Sequence, residues 1–253
     1  MNNIALVPGR LRSSTKMANT VRLNKLIAER TGLSRRAADT LIESGRVQVN
    51  RRIARAGEQI NPDNDIVLLD SKPLPAVTPI LVFAFHKPRG YVTTLQTGYE
   101  RGQPISKLLP PGLGLKPAGR LDAESEGLLI VTNDGDLIYR ITHPSQELAK
   151  EYRVTLNRPL HRLDFEELSN GVELEDGWCR PDWLQVEAGS DVSVQLHEGR
   201  KREVRRMFQA LGYRVERLIR VRIGAIQLGN LPAGELRTLT KDELTSISGR
   251  NRD

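Results

Sequence analysis

A single cysteine, Cys179, leaves this 253-residue chain without an internal disulfide framework or a cysteine-rich zinc site. Aromatic residues make up only 4%, too few for an aromatic platform to be the main device for stacking bases. The four histidines, His86, His143, His161 and His197, are scattered without metal-ligand spacing, so no metal is expected. No apolar run approaches the ~18 residues that a membrane span requires. The first twenty residues, MNNIALVPGRLRSSTKMANT, lack the apolar core of a secretory signal and read as a disordered basic tail. The protein is therefore expected in the cytoplasm. Neither a repeat at solenoid period nor a glycine-rich nucleotide loop is present.

What the sequence does have is positive charge, unevenly spread. The net charge is +7, yet residues 1–60 alone hold 12 Lys/Arg against 4 Asp/Glu, which leaves the other 193 residues at −1. Such asymmetry points to a polyanion-binding end.

That end has a legible pattern. Leu23, Leu26 and Ile27 fall on one face of a short helix, and Gly32 can close it in the left-handed conformation. Ser34 is a natural N-cap for a second helix with Ala37, Ala38, Leu41 and Ile42 inward. Gly45 stops it, Val47 and Val49 alternate as in a strand, 61–64 is a turn, and 66–69 is a further strand. Arg35 and Arg36 stand in the first turn of the second helix, where the helix dipole disfavours positive charge. There they add to free N–H groups to make a phosphate site. Arg22 and Lys25 precede them, and Arg46, Arg51 and Arg52 follow on the hairpin. The stretch RLNKLIAERTGLSRRAADTLIESGRVQVN resembles an S4 RNA-binding domain, expected over residues 21–70. Residues 71–79, SKPLPAVTP, with three prolines, read as a semi-rigid linker.

Beyond it, residues 80–244 mix short strands and helices, as in an α+β domain with a mixed, mainly antiparallel sheet, followed by a tail over 245–253. Strands are expected over 80–85, 128–132, 152–156, 192–196 and 215–226, and a helix over 203–211. The acidic stretch 164–191 reads as a solvated outer face. One turn stands out for chemistry: Gly119-Arg120-Leu121-Asp122, leading through Gly127 into the apolar run LLIVT, sets a carboxylate at the mouth of a sheet.

The segments HKPRG, GRLDAESEGLLIVTNDG, KEYRVTL, EGRKREVRRM and RLIRVRIG occur in the order and spacing of the RsuA-like RNA pseudouridine synthases, and the resemblance spans residues 21 to about 243. It implies an S4 domain tethered to a pseudouridine synthase domain. It implies Asp122 as the catalytic aspartate, Arg120 as the arginine holding the target base out of the stack, and Tyr152 as the ring against the uracil. Arg205 is implied as the basic partner of the aspartate. Leu218 or Ile219 is the apolar floor of the pocket, with Leu218 preferred. Arg200, Lys201, Arg202 and Arg206 are expected to meet phosphates rather than to act in chemistry. Glu203 stands where the family commonly has glutamine. The HKPRG turn is implied to be structural. No cofactor is implied, since an isomerisation adds and removes nothing. The expected partner is ribosomal RNA, large subunit before small, free or within assembly intermediates, and the protein is expected to act as a monomer without a membrane. The competing reading is a non-catalytic RNA-binding factor of ribosome assembly, which would be expected to lack Asp122 or Tyr152.

Overall fold

The computed structural model describes residues 20–76, 79–95, 102–143 and 148–248. They fall into two compact units divided between Val77 and Thr78. Of the expected tails, residues 1–19 and 249–253 lie outside the described residues, but 245–248 are not tail: they complete the helix Lys241–Ser248, whose Ile247 is buried in the core.

The first unit runs β1 (Val21–Arg22), α1 (Leu23–Thr31), α2 (Arg35–Glu43), β2 (Val47–Val49), β3 (Arg52–Ile53), β4 (Gln59–Ile60), β5 (Val67–Leu69) and β6 (Lys72–Pro73). Leu23 and Ile27 of α1 pack on Ala38 and Ile42 of α2 and on Val47, Val49 and Ile60, all buried. Gly32 closes α1 at φ 75°, its N–H donating to Ala28 O at 3.0 Å. Ser34 Oγ accepts the Ala37 N–H at 3.1 Å and starts α2. The strands form a sheet in the order β3-β2-β5-β6. The proline-rich stretch expected to be linker from 71 begins instead as this sheet's edge strand, β6, where Pro73 costs no ladder bond that a partner needs. Pro75 O then accepts from Arg30 Nη1 at 2.8 Å, so the tether stays with this unit well past residue 71.

Two hairpins here turn without glycine. Asn50 and Arg51 join β2 to β3 with φ of 49° and 68°. Two successive left-handed residues are the mark of a two-residue turn that normally selects Asn-Gly. An arginine in that second place, exposed at the tip, is conformationally unfavourable and reads as retained for its charge. Arg51→Gly is expected to raise the stability of this unit by about 1 kcal/mol while weakening RNA binding several-fold. Thermal melts and RNA titrations on the same variant check both; a variant that binds as tightly as the parent removes the functional reason for Arg51.

The second unit holds β7 (Val82–Lys87), β8 (Tyr91–Val92), β9 (Gln103–Pro104), β10 (Lys116–Ala118), β11 (Glu126–Thr132), α3 (Gly135–Thr142) and β12 (Lys150–Leu156). It continues with α4 (Arg162–Asn170), β13 (Val172–Leu174), β14 (Gly177–Cys179), β15 (Trp183–Ala188), β16 (Asp191–Leu196) and α5 (Glu203–Ala210). It ends with β17 (Val215–Ile223), β18 (Ile226–Gln227), β19 (Leu236–Thr238) and α6 (Lys241–Ser248). Its main sheet has nine strands in the order β15-β16-β12-β17-β11-β7-β19, with β10 added on β11 and β18 on β17. Every pairing in it is antiparallel except β11 with β17, so the sheet is mixed and mainly antiparallel. One apolar cluster lies under β12, β16 and α5, with Val154, Val194, Met207 and Phe208 at its centre. A second, around Leu128, Ile130 and Ile226, includes α3.

The single parallel junction is short, Glu126↔Ile219 and Gly127↔Arg220, and the two strands meet very closely there. A Cβ on Gly127 would stand 2.6 Å from the Arg220 amide nitrogen and closer still to its carbonyl oxygen. Arg220 is in turn the register partner of Tyr152 on β12. Tyr152, Arg220 and Gly127 thus form one row across three adjacent strands, and Asp122 lies five residues ahead of Gly127.

Candidate active site

The loop from Arg120 to Ser125 is fixed almost entirely through its backbone. Each of its six consecutive carbonyl oxygens accepts a hydrogen bond: Arg120 O from Arg220 Nη1 at 3.4 Å, Leu121 O from Thr93 Oγ1 at 2.7 Å, and Asp122 O from the Ser125 N–H at 3.1 Å. Ala123 O accepts from the Gly90 N–H at 2.7 Å, Glu124 O from Arg205 Nη2 at 3.1 Å, and Ser125 O from Lys87 Nζ at 2.7 Å. Thr93 Oγ1 also accepts the Leu121 N–H at 3.0 Å. A loop so held cannot reorganise when charge develops beside it, which is what preorganised catalysis needs.

Three of these donors are buried cations. Lys87 is fully buried, and Arg205 and Arg220 are nearly so. Among the described residues none of the three has a carboxylate within 4 Å, and each donates to main-chain carbonyls instead. Lys87 donates to Pro88 O at 2.8 Å as well as to Ser125 O, Arg205 Nη1 to Val215 O at 2.9 Å, and Arg220 Nε to Leu128 O at 2.7 Å. Burial pushes the Lys87 ammonium down to about 8, opposed by the nearby charges of Asp122 and Glu126. Burial likewise lowers Arg205, with Glu124 and Asp122 acting against it. The HKPRG turn is therefore structural in a specific sense: its lysine is a buried bolt under the Asp122 loop.

On this frame the Asp122 carboxylate stays open, its side chain 37% exposed. The cation within ion-pair reach is Arg202, whose Nη1 lies 3.9 Å from Asp122 Oδ2 and whose Nη2 lies 3.4 Å from Glu124 Oε2. Arg205, expected to be the aspartate's direct partner, holds the loop by its main chain instead. The reason is helical geometry: Arg205 is in the buried first turns of α5, whereas Arg202 precedes the helix and turns outward. Behind Asp122, Leu121, Tyr152 and Leu218 belong to one buried apolar cluster. Ile219, the alternative floor residue, points to the opposite side of β17 and packs in the second cluster.

The expected phosphate contacts divide. Lys201 and Arg202 are exposed. Arg200 and Arg206 are spent inside the protein. Arg206 binds Asp176 with both terminal nitrogens at 2.8 Å, and Arg200 donates to Gly177 O at 3.0 Å and Trp178 O at 2.8 Å. Their partners sit 22 to 30 residues away in the acidic stretch, which no motif of the EGRKREVRRM turn could reveal. That stretch is thus partly a counter-charge for α5 and not only a solvated face. Cys179 is buried and its thiol is pushed up to about 12, chiefly by burial, which makes it unreactive.

In the first unit, Arg22, Arg35, Arg36 and Arg51 are exposed, and Arg35 Nη2 donates to Asn24 Oδ1 at 3.3 Å. Lys25 pairs with Glu29 at 3.8 Å, Arg46 with Asp70 at 2.6 Å and Arg52 with Glu58 at 2.5 Å. The Arg46–Asp70 pair is solvent-exposed and weak enough for a phosphate to displace the carboxylate, whereas Glu58 is largely buried beneath Arg52. Among the described residues no group of three or more His, Cys, Asp or Glu is placed to hold a metal, and no helix is long and apolar enough to cross a membrane.

Comparison with known proteins gives the family. Residues 81–210 match the family model described as RNA pseudouridylate synthase, and residues 21–67 match the S4 domain. An uncharacterized RNA pseudouridine synthase of Mycobacterium leprae is 39% identical over 240 residues, covering 91% of this chain and 93% of its own. One of Aquifex aeolicus is 37% identical over 233 residues, covering 90% and 93%. The dual-specificity RNA pseudouridine synthase RluF of Escherichia coli is 36% identical over 232 residues, covering 90% and 79%. A crystal structure of a pseudouridylate synthase, 32% identical, superposes with a TM-score of 0.65 over 90% of this chain and 99% of that one.

Proposed function

The chain belongs to the RNA pseudouridine synthases that carry an N-terminal S4 domain, and on that premise we propose that it isomerises one uridine of large-subunit ribosomal RNA, with Asp122 as the catalytic carboxylate. The observation that carries this is the open Asp122 carboxylate on a loop hydrogen-bonded through its main chain, faced by Arg202, with Leu121, Tyr152 and Leu218 in one buried cluster.

A stacked uridine is out of reach, so it leaves the helix at a cost of about a few kcal/mol. Arg120, exposed two residues before Asp122, takes the space of the extruded base, and Tyr152 offers its ring to the uracil. The N1–C1′ bond breaks, the uracil turns, and a C5–C1′ bond forms. C5 then loses its hydrogen and N1 gains one, so the sum is an isomerisation that needs no cofactor. The carboxylate acts either on C1′ as a nucleophile or on the C2′ hydrogen as a base. Both routes need the carboxylate free to reach the sugar, and Arg202 stands beside it, 3.9 Å from Oδ2. The exposed arginines of the S4 unit, with Lys201 and Arg202, supply sequence-independent affinity for phosphates.

The large-subunit assignment is supported by the segments GVELEDG and LPAGELRTLT, which resemble enzymes of that group. The protein then acts as a cytoplasmic monomer on ribosomal RNA or its assembly intermediates. Pseudouridine mapping of all stable RNA from cells lacking the protein tests this. One large-subunit position is expected to lose its pseudouridine and to regain it when the gene is restored. Loss confined to small-subunit or transfer RNA overturns the target, and a map without any change overturns the reading.

A further inference from the structure

We propose that Glu203 is a positioning residue for the reaction, holding the 198–202 turn in the conformation that presents Arg202 to Asp122. The inference rests on the reading of Asp122 as the catalytic carboxylate. Arg202 has φ 53° and ψ 28°, a left-handed conformation that a residue with a Cβ keeps only under constraint. It caps α5 without a side-chain hydrogen bond of its own to the helix, so the constraint comes from elsewhere.

Glu203 supplies it by closing the turn on itself. Its N–H donates to Arg200 O at 3.3 Å, and its Oε2 accepts the Arg200 N–H at 3.2 Å. The two bonds close a reciprocal ring over residues 200–203, with the carboxyl reaching back three residues to a main-chain N–H. The side chain is 5% exposed. Its Oε1 accepts from Cys179 Sγ at 3.5 Å and lies 3.9 Å from Arg200 Nε. Arg200, paired with Glu198, carries the turn across to the carbonyls of β14. The other end is held by Lys150, whose Nζ donates to His197 O at 2.9 Å and Glu198 O at 3.4 Å, on the same strand as Tyr152. Between these anchors Arg202 extends toward Asp122 and Glu124.

A buried carboxyl is an expensive way to fill the first turn of a helix. Burial raises its proton affinity, while the nearby Arg200 and the Cys179 thiol act in the other direction. The charged groups around it are Arg200 and Glu198 from the turn, Lys150 from β12 and Arg206 from α5, and the neutral Cys179 thiol faces it from β14. A glutamine at this place would keep an oxygen acceptor for the Arg200 amide and lose the charge, so Glu203→Gln separates the two.

The test is a mutant cycle on the full-length protein: Arg202→Ala, Glu203→Leu, the double variant, Glu203→Gln, and Asp122→Asn as control. The readouts are the single-turnover rate of C5-hydrogen release from RNA at saturation, the KM for RNA, and the melting temperature. Glu203→Leu is expected to lower the rate about tenfold, within the range of coupled neighbours, with KM changed less than about twofold. Glu203→Gln is expected to restore the rate to within about twofold, and the double variant to be no slower than Arg202→Ala. If the Leu variant fails to fold, Glu203→Ala takes its place in the cycle. Effects that multiply in the double variant, or a Leu or Ala variant with the parent rate, overturn the proposal. An active Asp122→Asn removes the reading beneath it, whereas an inactive one with a multiplying cycle removes this inference alone.

Discussion

Asp122→Asn is expected to cut pseudouridine formation by roughly 10³-fold or more, the scale lost with an essential acid–base or nucleophilic group. RNA affinity should stay within about twofold of the parent, because the phosphate-binding cations are untouched. The melting temperature should move by no more than about 2 °C, since the side chain is 37% exposed and its 3.9 Å contact with Arg202 is a surface pair worth about 1 kcal/mol at most. The loop keeps its shape in the variant, because its six carbonyls are held through the main chain and not through the carboxylate. Hydrogen release from C5-labelled RNA gives the rate. A residual rate above about a tenth of the parent's would show that Asp122 is not the essential carboxylate.

Gly127→Ala is expected to cost about 4 kcal/mol and to lower the melting temperature of the catalytic unit by about 10 °C. The new methyl would press on the Arg220 backbone, which cannot rotate away as a side chain can, and Gly127 already has a φ of 110°. Relief means parting β11 from β17, which would draw Arg220 off Leu128 O and Arg120 O and loosen the loop. Activity should therefore fall even below the melting transition. The S4 unit has its own core and should melt as in the parent. A calorimetric shift under 3 °C would mean that the parallel junction has more slack than its geometry gives.

Much of this molecule can be read directly from the order of its residues. Local signals did well: the i, i+3, i+4 spacing from Leu23, the Ser34 cap, the Gly32 stop and the apolar run of β11 all act within a few residues of themselves. What escaped depends on distant partners. Arg200 and Arg206 look like phosphate ligands until Asp176 and the β14 carbonyls arrive from more than 20 residues upstream. The motif implies Arg205 as the partner of Asp122 and Arg202 as a phosphate contact, whereas the left-handed turn before α5 sends Arg202 outward to Asp122 and leaves Arg205 under the loop. The hairpin at 70–71 has no glycine to announce it, and Pro73 reads as linker although an edge strand accepts it.

The clasps on the Asp122 loop also set the order in which the protein becomes an enzyme. Lys87, Gly90 and Thr93 reach it from earlier in the chain, but Arg205 lies 81 residues after Glu124 and Arg220 lies 100 residues after Arg120. A ribosome adding roughly 5–20 residues per second exposes the catalytic loop several seconds before its last two clasps exist. Contacts so remote in sequence form late and slowly. The S4 unit, complete long before, can fold and bind RNA while the catalytic loop is still incomplete. A chain ended by premature termination before α5 would therefore hold RNA without modifying it, and competence arrives only once β17 has entered the sheet.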